Sequence, residues 1–196
     1  MLLHEKLKEF DIILASQSPR RKQLLSEMGI EFKVIIRDID ESYDANLLQH
    51  DVAMYIARKK AAAFIDLISD NTIVITADTI VCLENKIIGK PNATSEAFNI
   101  LKQLSGNRHT VITGVCIKSN LKEVTFFKSS DVYFRTLTDE EISYYIKTFK
   151  PMDKAGAYGI QEWIGFIGLE RIDGSYHNVM GLPTSELYYR LQQFIA

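Results

Sequence analysis

The chain has 196 residues, 46% hydrophobic and 24% charged, with 23 basic side chains against 25 acidic ones. That length buries a sizeable core, roughly 70% of the surface an unfolded chain exposes. A net charge of -2 excludes a polycationic nucleic-acid coat protein, and 10 Gly with 4 Pro exclude collagen-like and low-complexity chains.

Short β-rich runs alternate with helical stretches, the pattern of an α/β layer structure. Asp11 to Ala15 is predicted as a strand and Pro19 to Met28 as a helix stopped by Gly29. Ile30 to Ile36 is predicted as a second strand. From Leu48 to about Ile68, Val52, Ile56, Ala63 and Leu67 recur at helical spacing and predict one long amphipathic helix. Thr72 to Ala77 is a nearly unbroken apolar run, expected to be a buried central strand. A hairpin turning at Glu84 to Lys86 follows, then a helix from Thr94 to Leu104. Val111, Thr113, Val115 and Ile117 share one strand face, and Val132 with Phe134 lie on another strand. Thr138 to Thr148 opens with a capping Thr and three acids, and Pro151 closes it. Ile164 to Ile172 is strand-like, DGSYHN loop-like, and Thr184 to Ile195 a final helix. Nothing forces a domain split, so 1–196 is expected to form a single domain.

Cys82 and Cys116 sit apart in apolar runs and are expected to be buried thiols. The N-terminus lacks a secretory pattern, and no window approaches the ~18 consecutive apolar residues of a membrane span. A cytoplasmic location is expected. The four histidines are unpaired at ligand spacing and fit structural or surface roles, and Phe126, Phe127, Tyr133 and Phe134 fit sheet packing.

Four features point to chemistry. In LASQSPRRKQLL, Ser18 suits N-cap and Pro19 suits N1, so free N–H groups face whatever binds there, and Arg20 and Arg21 add planar cationic forks. The same pattern also describes an ordinary capped helix with solvated arginines. Asp78 stands where the buried run ends, and an acid there needs a metal, a cation or a proton-transfer role, or else caps a turn. Asp38, Asp40 and Glu41 form an acidic cluster of the type that holds Mg²⁺, or a solvated loop. Lys59 and Lys60 are equivalent on a helical wheel, so spacing does not choose between them. Lys90 sits in GKP, where Gly89 allows a tight turn and Pro91 stiffens the exit. Together these suit a metal-dependent site for a polyphosphate.

The motifs LASQSPRRKQLL, IDE, ARKKA, ADTIV, GKP, LSGNRHTVITGV, DKAGAYGIQ and DGSYHNVMGLP occur in the order found in Maf proteins. On these residues the chain resembles that family over nearly its whole length, and in particular its dTTP/UTP-specific branch. The resemblance implies an elongated mixed β-sheet with flanking helices, in two lobes around a central cleft, as in inosine triphosphate pyrophosphatases. It implies hydrolysis of dTTP and UTP to the nucleoside monophosphate and pyrophosphate, with clearance of modified nucleotides as a related role. Ser18, Arg20 and Arg21 then fall in the phosphate-contacting signature, Asp78 matches the catalytic acid, expected to act as general base or to position the nucleophile, and Lys60 and Lys90 match its motif lysines, expected to be catalytic. Glu41 and Asp78 would hold Mg²⁺ or Mn²⁺. Arg20, Thr79 and Gln161 match positions linked to pyrimidine choice. Gln161 offers a donor and an acceptor to the O4/N3–H edge shared by uracil and thymine. The family further implies a nucleoside triphosphate as partner, no nucleic acid or membrane, and a homodimer. The rival reading is a nucleotide-binding regulator of cell division without turnover.

Overall fold

Ile12, Ile13 and Leu14 are almost wholly buried, and the run they form is the first strand, β1 (Asp11–Leu14), of the computed structural model, which describes residues 1–196. It is joined by β2 (Lys33–Val34), β3 (Thr72–Leu83), β4 (Lys86–Ile88), β5 (Arg108–Lys118), β6 (Glu123–Phe134) and β7 (Leu169–Asp173). The strand order is β2-β1-β3-β5-β6-β7, with β4 hydrogen-bonded to β3. Pairing is mixed: β1 lies parallel to β2 and β3, whereas β4 runs antiparallel to β3 and β7 antiparallel to β6. The helices are α1 (Leu3–Lys6), α2 (Pro19–Glu27), α3 (Gln49–Ala62), α4 (Thr94–Leu104), α5 (Asp139–Phe149), α6 (Trp163–Gly168), α7 (Tyr176–Met180) and α8 (Thr184–Phe194). The expected α/β class, a mixed sheet with flanking helices, is what the chain adopts.

The chain divides into two compact units: Met1–Asp78, Thr113–Lys128 and Gly181–Ala196 in the first, Thr79–Ile112 and Ser129–Met180 in the second. In the first, α3 presents Ala53, Ala57 and Ala61 at helical spacing, all fully buried. The stripe is small because the helix lies almost on the sheet backbone: a Cβ on Gly114 of β5 would sit 2.4 Å from the Ala53 carbonyl. In the second unit, α5 carries the expected cap, with the Thr138 hydroxyl accepting from Glu141 N–H and the Glu141 carboxylate accepting from Thr138 N–H. Its end is a left-handed Lys150, φ 48°, followed by Pro151.

Several expectations are corrected. The strand expected over Ile30 to Ile36 is only Lys33–Val34; after Val34 its partner β1 has ended at Leu14, whose carbonyl makes a last bond with Ile35 N–H. The long helix stops at Ala62, and after Phe64 the chain makes a short 3₁₀ turn at Ile65–Leu67. There Phe64 packs with Ile13, Ala15 and Val74, a contact a continued helix would forgo. The central strand runs on to Leu83 instead of ending at Ala77. Ile164 to Ile172 is α6 followed by β7, since Gly165 lets the main chain close onto Ile160 O, where a Cβ would come within 1.8 Å. The DGSYHN loop contains the start of α7. Gly89 does not need its conformational freedom: its φ is not positive and a Cβ there would meet nothing within 4 Å. Both cysteines are buried free thiols, as expected, and burial lifts each to about 11. No helix is long and apolar enough to cross a membrane.

Candidate active site

The site in the first unit begins where β1 gives way to α2. Ala15 N–H still donates to Ile75 O, and then Ser16 and Ser18 turn the chain into the helix. Ser18 is the N-cap, its hydroxyl accepting from Arg21 N–H at 3.4 Å, with Pro19 behind it. Arg21 turns back towards the sheet. Its Nε donates to Gly181 O at 2.8 Å and one terminal nitrogen donates to Ala77 O at 2.9 Å and to Ser16 Oγ at 3.3 Å. Part of the fork assigned to phosphate therefore clamps the helix start onto β3. Desolvation lowers the Arg21 pKa from its ordinary value, Asp78 opposes that, Arg20 adds to it and Glu41 opposes it again.

Asp78 lies within β3, not at its end. The parallel pairing with β1 stops at Leu14 opposite Ile75, so β3 outruns its neighbour and Asp78 emerges beside the α2 start. Its side chain is 11% exposed and meets Lys60 Nζ at 2.8 Å. Periodicity explains the match. Thr76 and Asp78 share a face of β3, while Ala57 and Lys60 lie one turn apart on α3. The Thr76 hydroxyl donates to Ala57 O at 2.6 Å and sets the register that brings Lys60 to Asp78. The same ammonium reaches Glu41 Oε1 at 2.9 Å, so two carboxylates converge on one cation. Lys59, indistinguishable on the wheel, faces elsewhere, to Asp40 at 3.1 Å and Ser42 O at 3.2 Å. Hydrogen bonds from Ser42, and then from Lys59, hold the Asp40 carboxyl down to about 2. Asp38 is exposed and outside this cluster. Nowhere do three His, Cys, Asp or Glu side chains gather as a metal cage. Two carboxylates around one cation nevertheless fit Mg²⁺, which takes one or two protein carboxylates and completes its shell with water and substrate phosphate.

Thr79, Lys90 and Gln161 belong to the second unit. Thr79 follows Asp78 in β3 and is half-buried, and Lys90 is exposed. The GKP turn is tied down by Gly156 N–H donating to Gly89 O at 3.2 Å. Gln161 precedes α6, and its Oε1 is shut from solvent with no hydrogen-bond donor. Nearby in sequence, Tyr158 shares a 2.7 Å hydrogen bond with His109 Nε2. Burial drops His109 to about 4, with Asp131 a smaller opposing influence.

A family profile described as Maf-like protein matches residues 11–194. The chain belongs to the Maf family. It is 51% identical over 191 residues to the dTTP/UTP pyrophosphatase of Parabacteroides distasonis, covering 97% of this chain and 99% of that protein. It is 47% identical over 188 residues to the dTTP/UTP pyrophosphatase of Bacteroides thetaiotaomicron, covering 95% and 97%. Among solved structures it is similar to the Ham1 protein of Staphylococcus aureus, with a TM-score of 0.49 and 16% identity over 92% of this chain and 99% of that one. A nucleoside-triphosphatase / dITP/XTP pyrophosphatase of Mycobacterium abscessus gives 0.43 and 12% over 94% and 96%.

In this Maf chain, Ser18, Arg20, Arg21, Glu41, Lys60 and Asp78 fall in one unit, and Lys60 with Glu41 and Asp78 form a single ion-paired cluster. Sequence reasoning missed Thr76 and Gly114, the two residues that seat α3. A hydroxyl at Thr76 inside an otherwise apolar strand, two positions before Asp78, was the available signal.

Proposed function

We propose that the chain is a nucleoside triphosphate pyrophosphatase that hydrolyses dTTP and UTP to the nucleoside monophosphate and pyrophosphate. The observation that carries this reading is the Lys60 ammonium held between Asp78 at 2.8 Å and Glu41 at 2.9 Å, beside the helix start that Arg21 anchors. The naming of relatives near half identity as dTTP/UTP pyrophosphatases supports the choice of substrate.

Attack of water at the α-phosphorus must overcome the negative charge of the triphosphate, so catalysis is mostly positioning and charge stabilisation. Asp78 is the proposed general base, its carboxylate accepting the proton of the attacking water. The Ser18–Arg21 helix start supplies N–H groups and Arg20 a cation for the phosphates. Lys60 and Lys90 stabilise charge on the departing pyrophosphate. Glu41 and Asp78 are the residues that would hold Mg²⁺ or Mn²⁺, which when bound neutralises phosphate charge and orients water. Gln161 reads the keto and N3–H edge of uracil or thymine, and Thr79 shapes the base pocket. A pocket that tolerates the thymine methyl accepts both bases, since one methyl is worth only ~1–3 kcal/mol of discrimination.

The same reading takes 1–196 as one domain of a cytoplasmic homodimer acting without nucleic acid or membrane. The test is a nucleotide panel with Mg²⁺ and with Mn²⁺, following both phosphate products. Pyrophosphate from dTTP and UTP is the expected result. Orthophosphate as the product, or binding without turnover, would overturn the proposal.

A further inference from the structure

Gln161 sits in a turn that is fastened on both sides. Gly159 N–H donates to the Tyr145 hydroxyl at 3.0 Å, and that hydroxyl in turn donates to the Glu162 carboxylate. Tyr145 comes from the middle of α5 and is fully buried. Glu162 stands at the N-cap of α6, but its side chain does not cap its own helix. It pairs instead with Lys154 Nζ at 3.2 Å, where the lysine side chain is 9% exposed and the glutamate 19%. Lys154 is further held by Asp153 at 2.8 Å. The backbone agrees with these bonds: Glu162 N–H donates to Gly159 O at 3.0 Å, closing the turn. A Cβ at position 159 would lie 2.8 Å from the Glu162 carboxylate carbon, so a side chain there would displace that carboxylate.

Burying an ammonium, a carboxylate and a phenol together costs desolvation and gives little net stability. Such networks do impose one geometry, since each partner has a fixed place. What they frame is Gln161, whose Oε1 has no donor although it is buried. A buried acceptor without a donor is unfavourable, and a small turn of the carboxamide towards a ligand N–H relieves it.

We propose that Tyr145, Lys154 and Glu162 are positioning residues that lock the 159–162 turn and so fix the Gln161 carboxamide for a pyrimidine bearing a 4-keto group and an N3–H. This rests on the proposed function and deepens it. Cytosine, with a 4-amino donor and an N3 acceptor, presents the reversed pattern and is rejected only while the carboxamide is held in one orientation.

The test uses full-length protein and kcat and KM for UTP, dTTP and CTP. Tyr145→Phe keeps the buried ring and removes both hydroxyl bonds, and Glu162→Gln keeps an acceptor for Tyr145 but loses the ion pair with Lys154. In Tyr145→Phe the preference for UTP over CTP falls about tenfold, through KM, while kcat for UTP changes little because Asp78 and Lys60 are untouched. Glu162→Gln shows a smaller fall in the same sense. In Gln161→Ala the preference is already lost, and adding Tyr145→Phe lowers it no further. An unchanged preference in both positioning variants, or a full further loss in the double variant, overturns the proposal. So does failure of both to fold, which would make the network a folding element. Absence of wild-type turnover would instead overturn the function on which it rests.

Discussion

Replacing Asp78 and Lys60, singly and together, separates chemistry from stability. Asp78→Asn preserves shape and removes one negative charge from a side chain 11% exposed, 2.8 Å from Lys60 Nζ. Lys60 keeps Glu41 at 2.9 Å, and the new amide oxygen still accepts from the ammonium, so no buried charge is stranded. The loss is therefore about 1 kcal/mol, which lowers the melting temperature of a chain this size by about 2–4 °C. Turnover falls by about 10²–10⁴-fold because the proton acceptor is gone. Lys60→Met is the opposite case, leaving the Asp78 carboxylate buried without its nearest cation. Breaking a buried pair in this way costs about 3–5 kcal/mol, and the attraction of Arg21 to Asp78 favours the lower end. In the double variant only the half-exposed Glu41 carboxylate loses this cation, so it is more stable than Lys60→Met alone by about 2 kcal/mol. Thermal unfolding of the four proteins, with pyrophosphate release from dTTP, reads all of these quantities. Near-normal turnover in a folded Asp78→Asn protein refutes the base assignment. Additive stability losses refute the coupling of the two charges.

The remaining predictions concern the fold and the metal. Because His109 has its pKa lowered from 6.5 to about 4 in the folded chain, the unfolded chain binds the extra proton first as pH falls. Stability should hold above pH 6.5 and fall by about 3 kcal/mol as pH drops towards 4, and urea titrations of His109→Gln should show a flatter slope over that window. Gly114→Ala, whose Cβ would meet the Ala53 carbonyl at 2.4 Å, should cost at least about 1–3 kcal/mol by overpacking. Gly89→Ala, with nothing within 4 Å, should melt with the wild type. Thr138→Ala should remove the α5 cap and about 1 kcal/mol while leaving turnover intact, measured by chemical unfolding. Chelation of divalent metal should abolish pyrophosphate release, and Glu41→Gln should raise the metal concentration for half-maximal rate; an unchanged requirement removes Glu41 as a ligand.

Local information was enough for much of this molecule. The strand β3 follows from its unbroken apolar run, and the Ser18-Pro19 start of α2 and the TDEE cap of α5 follow from backbone hydrogen-bonding needs that neighbouring residues satisfy by themselves. The ordered motifs also pointed to Asp78, Lys60 and Glu41. Three things were decided only when distant segments met. Lys60 and Lys59 are equivalent on a wheel, and only the Thr76 hydroxyl on Ala57 O selects which faces Asp78. Ile164 to Ile172 looks strand-like, yet its first part is helical, with Gly165 packed so close on Ile160 O that no Cβ would fit. Arg21 looks like a free phosphate fork until Ala77 O and Gly181 O engage it. In each case the deciding partner lies far along the chain or across a turn, where periodicity carries no information and a single hydrogen bond or close contact outweighs local preference.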